Sequence, residues 1–416
     1  MFLYRLLNLL LLPLTFSYIC LKAVRHNQLR YLKQRLGIGL GGIPKNCLWL
    51  HCASVGEVNT ALPLLNELHR RNPQQNFVIT TNTPTGAEIV IRQQQPYLFH
   101  AYLPFDWMLS VTLFVSTLKP VALCVLETEL WPNLFSVCHS RKVPVVIING
   151  RLSPKTTSTY KWVRRVLGQL LQLTEHVYAR SEADHDAFIK LGANKSKVSL
   201  IGNMKYSPPA LQKTEVPRVN RAYVVVASSH FDEEIHILRC WMQLERDELL
   251  VIAPRHPERR EEILKQLTSV TEAIALRSRN DAITRNTRVF LLDTVGELNN
   301  WFSAAKLVIM GGSFIPHGGH NLLEPAHFGK AVIFGPSMEN FRDEAQLMLN
   351  KHAAVQVASF EKLCEQLQHF LTNPQALQSL ENNVHEAISG FRHIVEDYAD
   401  VVSPLINSKS DDEVRK

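Results

Sequence analysis

No aspartate or glutamate precedes Glu57, so the start of the chain is exclusively basic. An apolar run, Leu6 to Leu21, is followed by a cluster of basic residues. The run is slightly shorter than the about 20 residues of a comfortable membrane span, and Pro13 interrupts it. No small-residue cleavage site follows, which disfavours a cleaved signal peptide. We expect residues 1–25 to be a retained membrane anchor, either spanning or interfacial. The alternative is a helix packed on the protein's own core.

Paired cysteine motifs are also missing. The seven cysteines are an odd number, widely scattered, and none forms a CxxC pair. That pattern predicts reduced thiols in a cytosolic compartment rather than a disulfide framework.

No recognised nucleic-acid motif occurs, and the basic residues are not interleaved with aromatics, which disfavours a nucleic-acid partner.

The net charge of +7 hides a division of charge along the chain. Residues 1–215 carry 24 Lys and Arg against 11 Asp and Glu, and the remainder carries 21 against 27. The first part is therefore about +13 and the second about −6. Such a division predicts that the first part faces something anionic, either a membrane surface or an acidic ligand.

A length of 416 residues predicts two domains. Apolar runs such as NFVITTN, VPVVIING and AYVVVASS alternate with helical patterns on both sides of a polar stretch at 207–220. That alternation is typical of parallel sheets covered by helices. We therefore predict an α/β protein of two Rossmann-like domains, 46–207 and 218–405, which face a central cleft.

Polar residues close many strands of the first domain, as in SVGE, ETELWPN and GNMKY. Because the carboxyl ends of parallel strands meet at one edge, these residues are expected to converge. Glu57 and Glu127 are the candidate carboxylates, and Lys205 is the candidate cation for a departing phosphate. Glu57 could instead only complement the helix dipole, and either Glu127 or Glu129 could be structural.

The second domain contains VIMGGSFIPHGGHNLLEPAHFGK, in which a strand is followed by glycines and then by a helix expected to begin near Asn321. Glycine amides and a helix amino end would bind a nucleotide phosphate. Arg255 suits a phosphate or base contact, and Gly296 allows close backbone approach. Asn321 and Glu324 also have capping-box spacing, so their role could be local.

Metal motifs are weak. His317 and His320 form an isolated HxxH. Asp184 and Asp186 form a DxD, which is interpreted as the acidic first turn of an exposed helix. We expect no metal ion and no cofactor.

Taken together, SVGE, TPTGAE, ETELWPN, RHPER, DTVGEL and GGSFIPHGGHNLLEPA resemble the 3-deoxy-D-manno-octulosonic acid (Kdo) transferases of lipopolysaccharide biosynthesis. The resemblance extends from the apolar start to about residue 345. It implies a GT-B glycosyltransferase on the cytoplasmic side of the bacterial inner membrane. Such an enzyme transfers Kdo from CMP-Kdo to lipid IVA, the lipid A precursor, with inversion and without a metal.

The resemblance also implies residue roles. Glu57 would be the general base, and Glu127 and Lys205 would stabilise the transition state. The expected CMP-binding residues are Pro254, Arg255, Val295, Gly296, Glu297, Asn321, Leu322, Leu323 and Glu324.

Two alternatives stay open from the sequence. One is a GT-B transferase that uses another sugar nucleotide and a different membrane acceptor. The other is a membrane-bound scaffold that keeps the fold without catalysis, although the proposed base and the nucleotide loop are both present.

Overall fold

The computed structural model describes residues 2–25, 29–208 and 219–407. The chain forms two compact units: Met1–Ser207 with His393–Lys416, and Pro208–Arg392. Residues 209–218 of the expected linker, and the last nine residues of the polar tail, lie outside the described residues.

The first unit is built around seven parallel strands, most of them fully buried, as expected when helices cover both faces of a sheet. The strands are β1 Leu48–His51, β2 Phe77–Thr81, β3 Leu98–Tyr102, β4 Ala122–Leu126, β5 Val145–Gly150, β6 His176–Ala179 and β7 Val198–Leu200. The helices are α1 Phe2–Leu10, α2 Leu12–Arg25, α3 Leu29–Arg35, α4 Val55–Arg71, α5 Pro84–Arg92, α6 Met108–Leu118, α7 Pro132–Ser140, α8 Pro154–Thr157, α9 Lys161–Leu171 and α10 Glu182–Leu191.

The second unit repeats this plan with seven further parallel strands. They are β8 Tyr223–Ser229, β9 Leu249–Pro254, β10 Ile274–Leu276, β11 Val289–Leu291, β12 Leu307–Met310, β13 Val332–Phe334 and β14 Ala354–Gln356. The helices are α11 Glu233–Gln243, α12 Arg260–Thr268, α13 Leu298–Phe302, α14 Leu323–Ala326, α15 Arg342–Asn350, α16 Phe360–Thr372 and α17 Pro374–Ile388.

Both sheets reverse their strand order once. The first has the order β3-β2-β1-β4-β5-β6-β7, and the second β10-β11-β9-β8-β12-β13-β14. The reversals fall between β1 and β4 and between β8 and β12. Ligands of open α/β sheets bind outside the carboxyl ends of the strands at such switch points. The topology therefore singles out the residues after these four strands.

The last helix, α18 Ile394–Asn407, belongs to the first unit. It packs on α4, and Arg71 of α4 forms an ion pair with Asp400 at 2.5 Å. The range 218–405 expected for the second domain therefore contains a helix that returns to the first. The amphipathic pattern of this helix predicts that one of its faces is buried, but it does not show which of the two sheets it belongs with.

The amino-terminal helices expose much of their apolar surface. Leu9 is 65% exposed and Leu14 is 70% exposed. Polar contacts hold α1 to the unit: the Tyr4 hydroxyl donates to Asp106 at 2.8 Å, and Asn8 donates to the Asp106 carbonyl. The alternative of a helix packed on the protein's own core would require these leucines to be buried, and they are exposed. Within the described residues, no helix has both the length and the apolarity to cross a membrane.

The prediction that all thiols are reduced is wrong for one pair. Cys240 on α11 and Cys364 on α16 form a disulfide. These two helices pack side by side, which a separation of 124 residues in the sequence does not show. Cys47, Cys52, Cys124 and Cys138 are free and buried.

Candidate active site

Glu57 lies in the first turn of α4, close behind β1. Ser54 is the N-cap of this helix and accepts a hydrogen bond from the Glu57 amide at 3.3 Å. The Glu57 carboxylate accepts from the Ala53 amide at 2.8 Å and from the Ser54 hydroxyl at 2.9 Å. This reciprocal pattern is a capping box. Because a carboxylate has about four acceptor positions, the oriented group can still accept a proton from a ligand hydroxyl.

Glu127 follows β4, the neighbour of β1 across the switch point. Its backbone is left-handed, with φ 55°, a conformation that costs a residue other than glycine on the order of 1 kcal/mol. The Lys205 ammonium lies 3.5 Å from a Glu127 carboxylate oxygen. Lys205 is 40% exposed on its side chain, so this cation remains accessible to a ligand.

The Lys205 segment is held in place from two directions. The Asn149 side chain, at the end of β5, accepts a hydrogen bond from the Met204 amide at 3.0 Å. The Tyr398 hydroxyl of α18 donates to the Gly202 carbonyl at 2.9 Å and accepts from the Asn149 amide at 3.2 Å. The sequence indicates Asn149 only as one of the polar residues that close a strand, and it gives no indication of Tyr398. Only the contact of α18 with the first unit reveals their role.

The charges of the two candidate carboxylates affect the pKa values of neighbouring groups. Burial raises the pKa of Glu57, opposed by the hydrogen bonds from Ala53 and Ser54, and the charge of Glu127 adds to the rise. Burial also raises the pKa of Cys52, and both carboxylates contribute. A carboxylate with a raised pKa is a better general base near neutral pH. The structure thus brings Glu57, Glu127 and Lys205 together at one sheet edge.

Other strand-end residues of the first unit have structural roles. The Asp106 carboxylate accepts from the amides of Asn133 and Leu134 at 2.9 and 2.8 Å, which caps the start of α7. Glu129 does not join Glu127. It accepts from Trp131 at 2.8 Å and Asn82 at 3.2 Å, instead of pairing with Lys205.

Asp184 of the DxD is not exposed, contrary to the sequence interpretation. It is buried, and its carboxylate accepts from the Leu152 amide at 2.8 Å and pairs with Arg180 at 3.1 Å. Asp186 is the exposed member. The two acidic side chains therefore face different surroundings.

In the second unit, the expected CMP-binding residues fall into two groups. The first surrounds Arg255, which follows Pro254 at the end of β9. Burial raises the pKa of Glu324, and hydrogen bonding from Asn321 and the Arg255 charge oppose that rise. Leu322 and Leu323 are buried, so their side chains are not exposed to a ligand.

The second group is the loop of Val295, Gly296 and Glu297. The Val295 side chain is 85% exposed, and Gly296 has a left-handed backbone with φ 91°. Glu297 already has protein partners, since it accepts from Arg277 at 2.7 Å and from Thr294 at 3.1 Å. The described contacts do not link this loop to Arg255.

The predicted phosphate cradle after β12 differs from expectation in two ways. The helix expected near Asn321 is only the single turn α14, because Pro325 and Gly329 limit its length. The loop amides of Gly312 and Phe314 donate to the buried Glu233 carboxylate at 2.7 and 3.0 Å. A carboxylate of the protein therefore takes the position expected for a ligand anion.

The weak HxxH motif of His317 and His320 belongs to a cluster of three histidines, whose third member, His230, was not identified from the sequence. His230 follows β8, and His317 and His320 follow β12, so all three lie at the second switch point. Their ring nitrogens lie within 4.8 Å of one another. The signal was present as SSHFDEE directly after a buried strand.

Comparison with known proteins gives consistent results. Residues 30–207 match the family model described as 3-deoxy-D-manno-octulosonic-acid transferase (kdotransferase). The 3-deoxy-D-manno-octulosonic acid transferase of Haemophilus influenzae is 31% identical over 420 residues, which covers 97% of this chain and 98% of that protein. The Rickettsia bellii protein of the same name is 29% identical over 415 residues, with coverages of 96% and 98%.

Among solved structures, MurG from Acinetobacter baumannii has a TM-score of 0.53 at 15% identity and covers 87% of this chain and 100% of its own. A UDP-GlcNAc 2-epimerase from Neisseria meningitidis has a TM-score of 0.53 at 15% identity, with coverages of 85% and 99%. At such identities the likeness concerns the fold alone. It confirms the predicted two-domain α/β, GT-B-like fold.

Proposed function

We propose a function from one premise: the chain belongs to the 3-deoxy-D-manno-octulosonic acid (Kdo) transferase family. It is accordingly a glycosyltransferase that transfers Kdo. The specific reaction proposed is transfer from CMP-Kdo to a primary hydroxyl of lipid IVA, with inversion and without a metal ion or cofactor.

One observation supports this chemistry most directly. Glu57 and Glu127 follow two adjacent strands at the switch point of the first sheet, and Lys205 lies 3.5 Å from Glu127. An oriented base and a cation held by a second carboxylate are what hydroxyl attack and phosphate departure require.

In the proposed step, Glu57 accepts the proton of the lipid hydroxyl as its oxygen bonds to the anomeric carbon of Kdo. The bond from that carbon to the phosphate oxygen breaks, and its electron pair leaves with CMP. A single displacement of this kind inverts the anomeric centre. The capping box orients Glu57, which lowers the entropic cost of reaching the transition state.

Lys205 and Arg255 are proposed to stabilise negative charge during transfer. Glu127 holds the Lys205 ammonium, and the strained backbone of Glu127 is consistent with a functional position. Arg255 lies directly after the end of β9, and its positive charge acts to lower the pKa of both Glu324 and His320. Lys205 would favour a phosphate that gains charge as the bond breaks, and Arg255 would bind nucleotide phosphate within the second unit.

We also propose that the protein works on the cytoplasmic side of the bacterial inner membrane. The exposed leucines of α1 and α2 supply apolar surface. Tyr160, directly before α9, is 76% exposed, Trp162 in its first turn is 47% exposed, and exposed Arg164 and Arg165 follow on the same helix. Aromatic and basic side chains of this kind favour the interface of anionic lipids.

The direct test is mass spectrometry of lipid IVA after incubation with the purified full chain and CMP-Kdo. The proposal predicts a gain of one or more Kdo units and release of CMP. Parallel reactions with UDP-GlcNAc should leave the lipid mass unchanged. A gain in lipid mass from the UDP-sugar would contradict the proposed donor. No gain from CMP-Kdo, although the protein binds CMP, would contradict the proposed acceptor.

A further inference from the structure

Three imidazoles meet above the backbone of Gly312 at the second switch point. The His230 and His320 rings are stacked with an interplanar angle of 8°, and their Nε2 atoms lie 2.9 Å apart. The His317 ring lies 3.8 Å from the His230 ring, centre to centre. A Cβ at Gly312 would lie 2.9 Å from His320. Glycine at this position is what permits the histidine cluster, defined here as His230, His317 and His320.

Two arginines and a further histidine approach the cluster from the end of β9. The Arg255 charge contributes to a lowered pKa of His320, and the Arg259 charge contributes to a lowered pKa of His230. The His256 ring lies 5.7 Å from His230. Among the residues that the structure describes, no carboxylate forms an ion pair with Arg255. Arg255 therefore contributes a positive charge beside the cluster.

The nearby carboxylates already have protein partners, so their oxygens are engaged. Glu233 accepts from the amides of His230, Gly312 and Phe314. Glu234 accepts from Ser229 at 3.0 Å and pairs with Arg259 at 3.3 Å. On the remaining sides, Glu258 pairs with His256, and burial raises the pKa of Glu324.

Two ligand classes suit three histidines: a transition-metal ion and an anion. Zn²⁺ sites bind metal through neutral imidazoles and often a carboxylate or thiolate. Here Arg255, which has no carboxylate partner among the described residues, would repel a dication, and the carboxylates that could ligate a metal already have other partners. The same charge attracts phosphate and carboxylate groups. Electrostatics therefore favours the anion.

We propose that the histidine cluster and Arg255 bind the phosphate of the donor nucleotide. The inference rests on the proposed function and adds residues that the family motifs did not assign. It also replaces the phosphate cradle that Glu233 fills and that the single turn of α14 is too short to provide.

Protonation would accompany binding. Burial lowers the pKa of His230 to about 4, and neighbouring cations contribute. Burial likewise lowers the pKa of His320 to about 4, with Arg255 as the next cause. Both rings are therefore neutral at pH 7.5 without ligand. A phosphate raises imidazole pKa values, so CMP binding should take up protons, and affinity should fall as the pH rises.

The test compares CMP with cytidine by isothermal titration of the full chain at pH 7.5, where most CMP is already a dianion. His317→Gln and His320→Gln should each reduce the preference for CMP over cytidine by about fivefold or more, with little change for cytidine. His369→Gln, the same change on exposed α16, should leave both affinities unchanged. Titrations in two buffers of different ionisation enthalpy should show proton uptake by wild type.

Several outcomes would overturn the inference. An unchanged preference for CMP in both variants would do so, as would an equal loss for cytidine. Zn²⁺ binding that depends on these histidines, without an effect on CMP, would identify a metal site instead. Inorganic phosphate separates the two proposals. If wild type binds phosphate through the histidines but does not bind CMP, the cluster stands and the proposed donor fails.

Discussion

Glu57 shows how one residue can satisfy a local and a functional interpretation at once. The sequence left open a local role in complementing the helix dipole, and the structure shows a further local role, a capping box with Ser54. The hydrogen bonds from the Ala53 amide and the Ser54 hydroxyl hold the carboxylate in place close behind β1. The S-x-x-E spacing of SVGE is typical of such a cap, whereas the proximity of Glu127 depends on the pairing of β1 with β4.

The pH dependence of turnover should report the interaction between the two carboxylates. Burial raises the pKa of Glu57 and Glu127 contributes, so the active, ionised base is lost as the pH falls through this raised value. Glu127→Gln removes a like charge and should lower the Glu57 pKa. The acid limb of kcat/KM should therefore move to lower pH, besides any loss of rate. An unmoved limb would contradict the assignment of Glu57 as the titrating base.

Buried polar residues were the least predictable part of the site. Glu57, Glu127 and Lys205 could be proposed because they close recognisable strands. Glu233 could not, since its three amide donors come from His230 and from a loop about 80 positions later. Sequence spacing does not show which distant backbone amides will donate hydrogen bonds to a buried carboxylate.

At the scale of elements, apolar runs such as NFVITTN, VPVVIING and AYVVVASS form strands β2, β5 and β8, and two strands of the described residues were not predicted in this way. The two missed, β10 and β14, are short strands at opposite edges of the second sheet. Edge strands bury less surface and so have weaker patterns. The helix expected near Asn321 is only one turn long because Pro325, directly after Glu324, limits it, although the glycine-rich pattern before it is typical of an anion site.

The last helix should influence catalysis through Tyr398. Tyr398→Phe leaves the Gly202 carbonyl and the Asn149 amide without a partner, which should lower the free energy of unfolding by about 1–3 kcal/mol. Because these groups hold the Lys205 segment, kcat should fall while KM for the donor changes little.

Tyr97→Phe is a matched control, since this ring stacks on His69 elsewhere in the same unit. Steady-state kinetics and denaturant unfolding of both variants would separate positioning from stability. If Tyr398→Phe loses stability but keeps full kcat at a temperature where it is folded, α18 is only structural.

At the scale of the whole molecule, the basic first part of the chain and the exposed apolar surfaces of α1, α2 and α9 occur in the same unit. An enzyme whose acceptor is an anionic glycolipid benefits from such a surface, because basic groups concentrate it near anionic lipid. Composition alone indicated the charge. The structure was needed to show which side chains are exposed.

Vesicle binding should depend on α9. Replacing Arg164 and Arg165 together by glutamine should weaken binding to phosphatidylglycerol vesicles by at least about tenfold, at about 1 kcal/mol per basic residue, and reduce its salt dependence. Arg279→Gln with Arg285→Gln makes the same charge change in the second unit and should have little effect. Sedimentation with vesicles measures both. Equal losses for the two pairs would show that only net charge matters.

The most direct test of the account is the effect of Glu57→Gln on turnover and on CMP binding. Glutamine preserves the capping box but cannot accept the proton, so Kdo transfer should fall about 10²–10⁴-fold with CMP affinity unchanged. Glu67→Gln, on the same helix and paired with Arg70 and Arg71, should retain near wild-type transfer. Wild-type turnover in a folded Glu57→Gln variant would contradict the central claim that this carboxylate is the base.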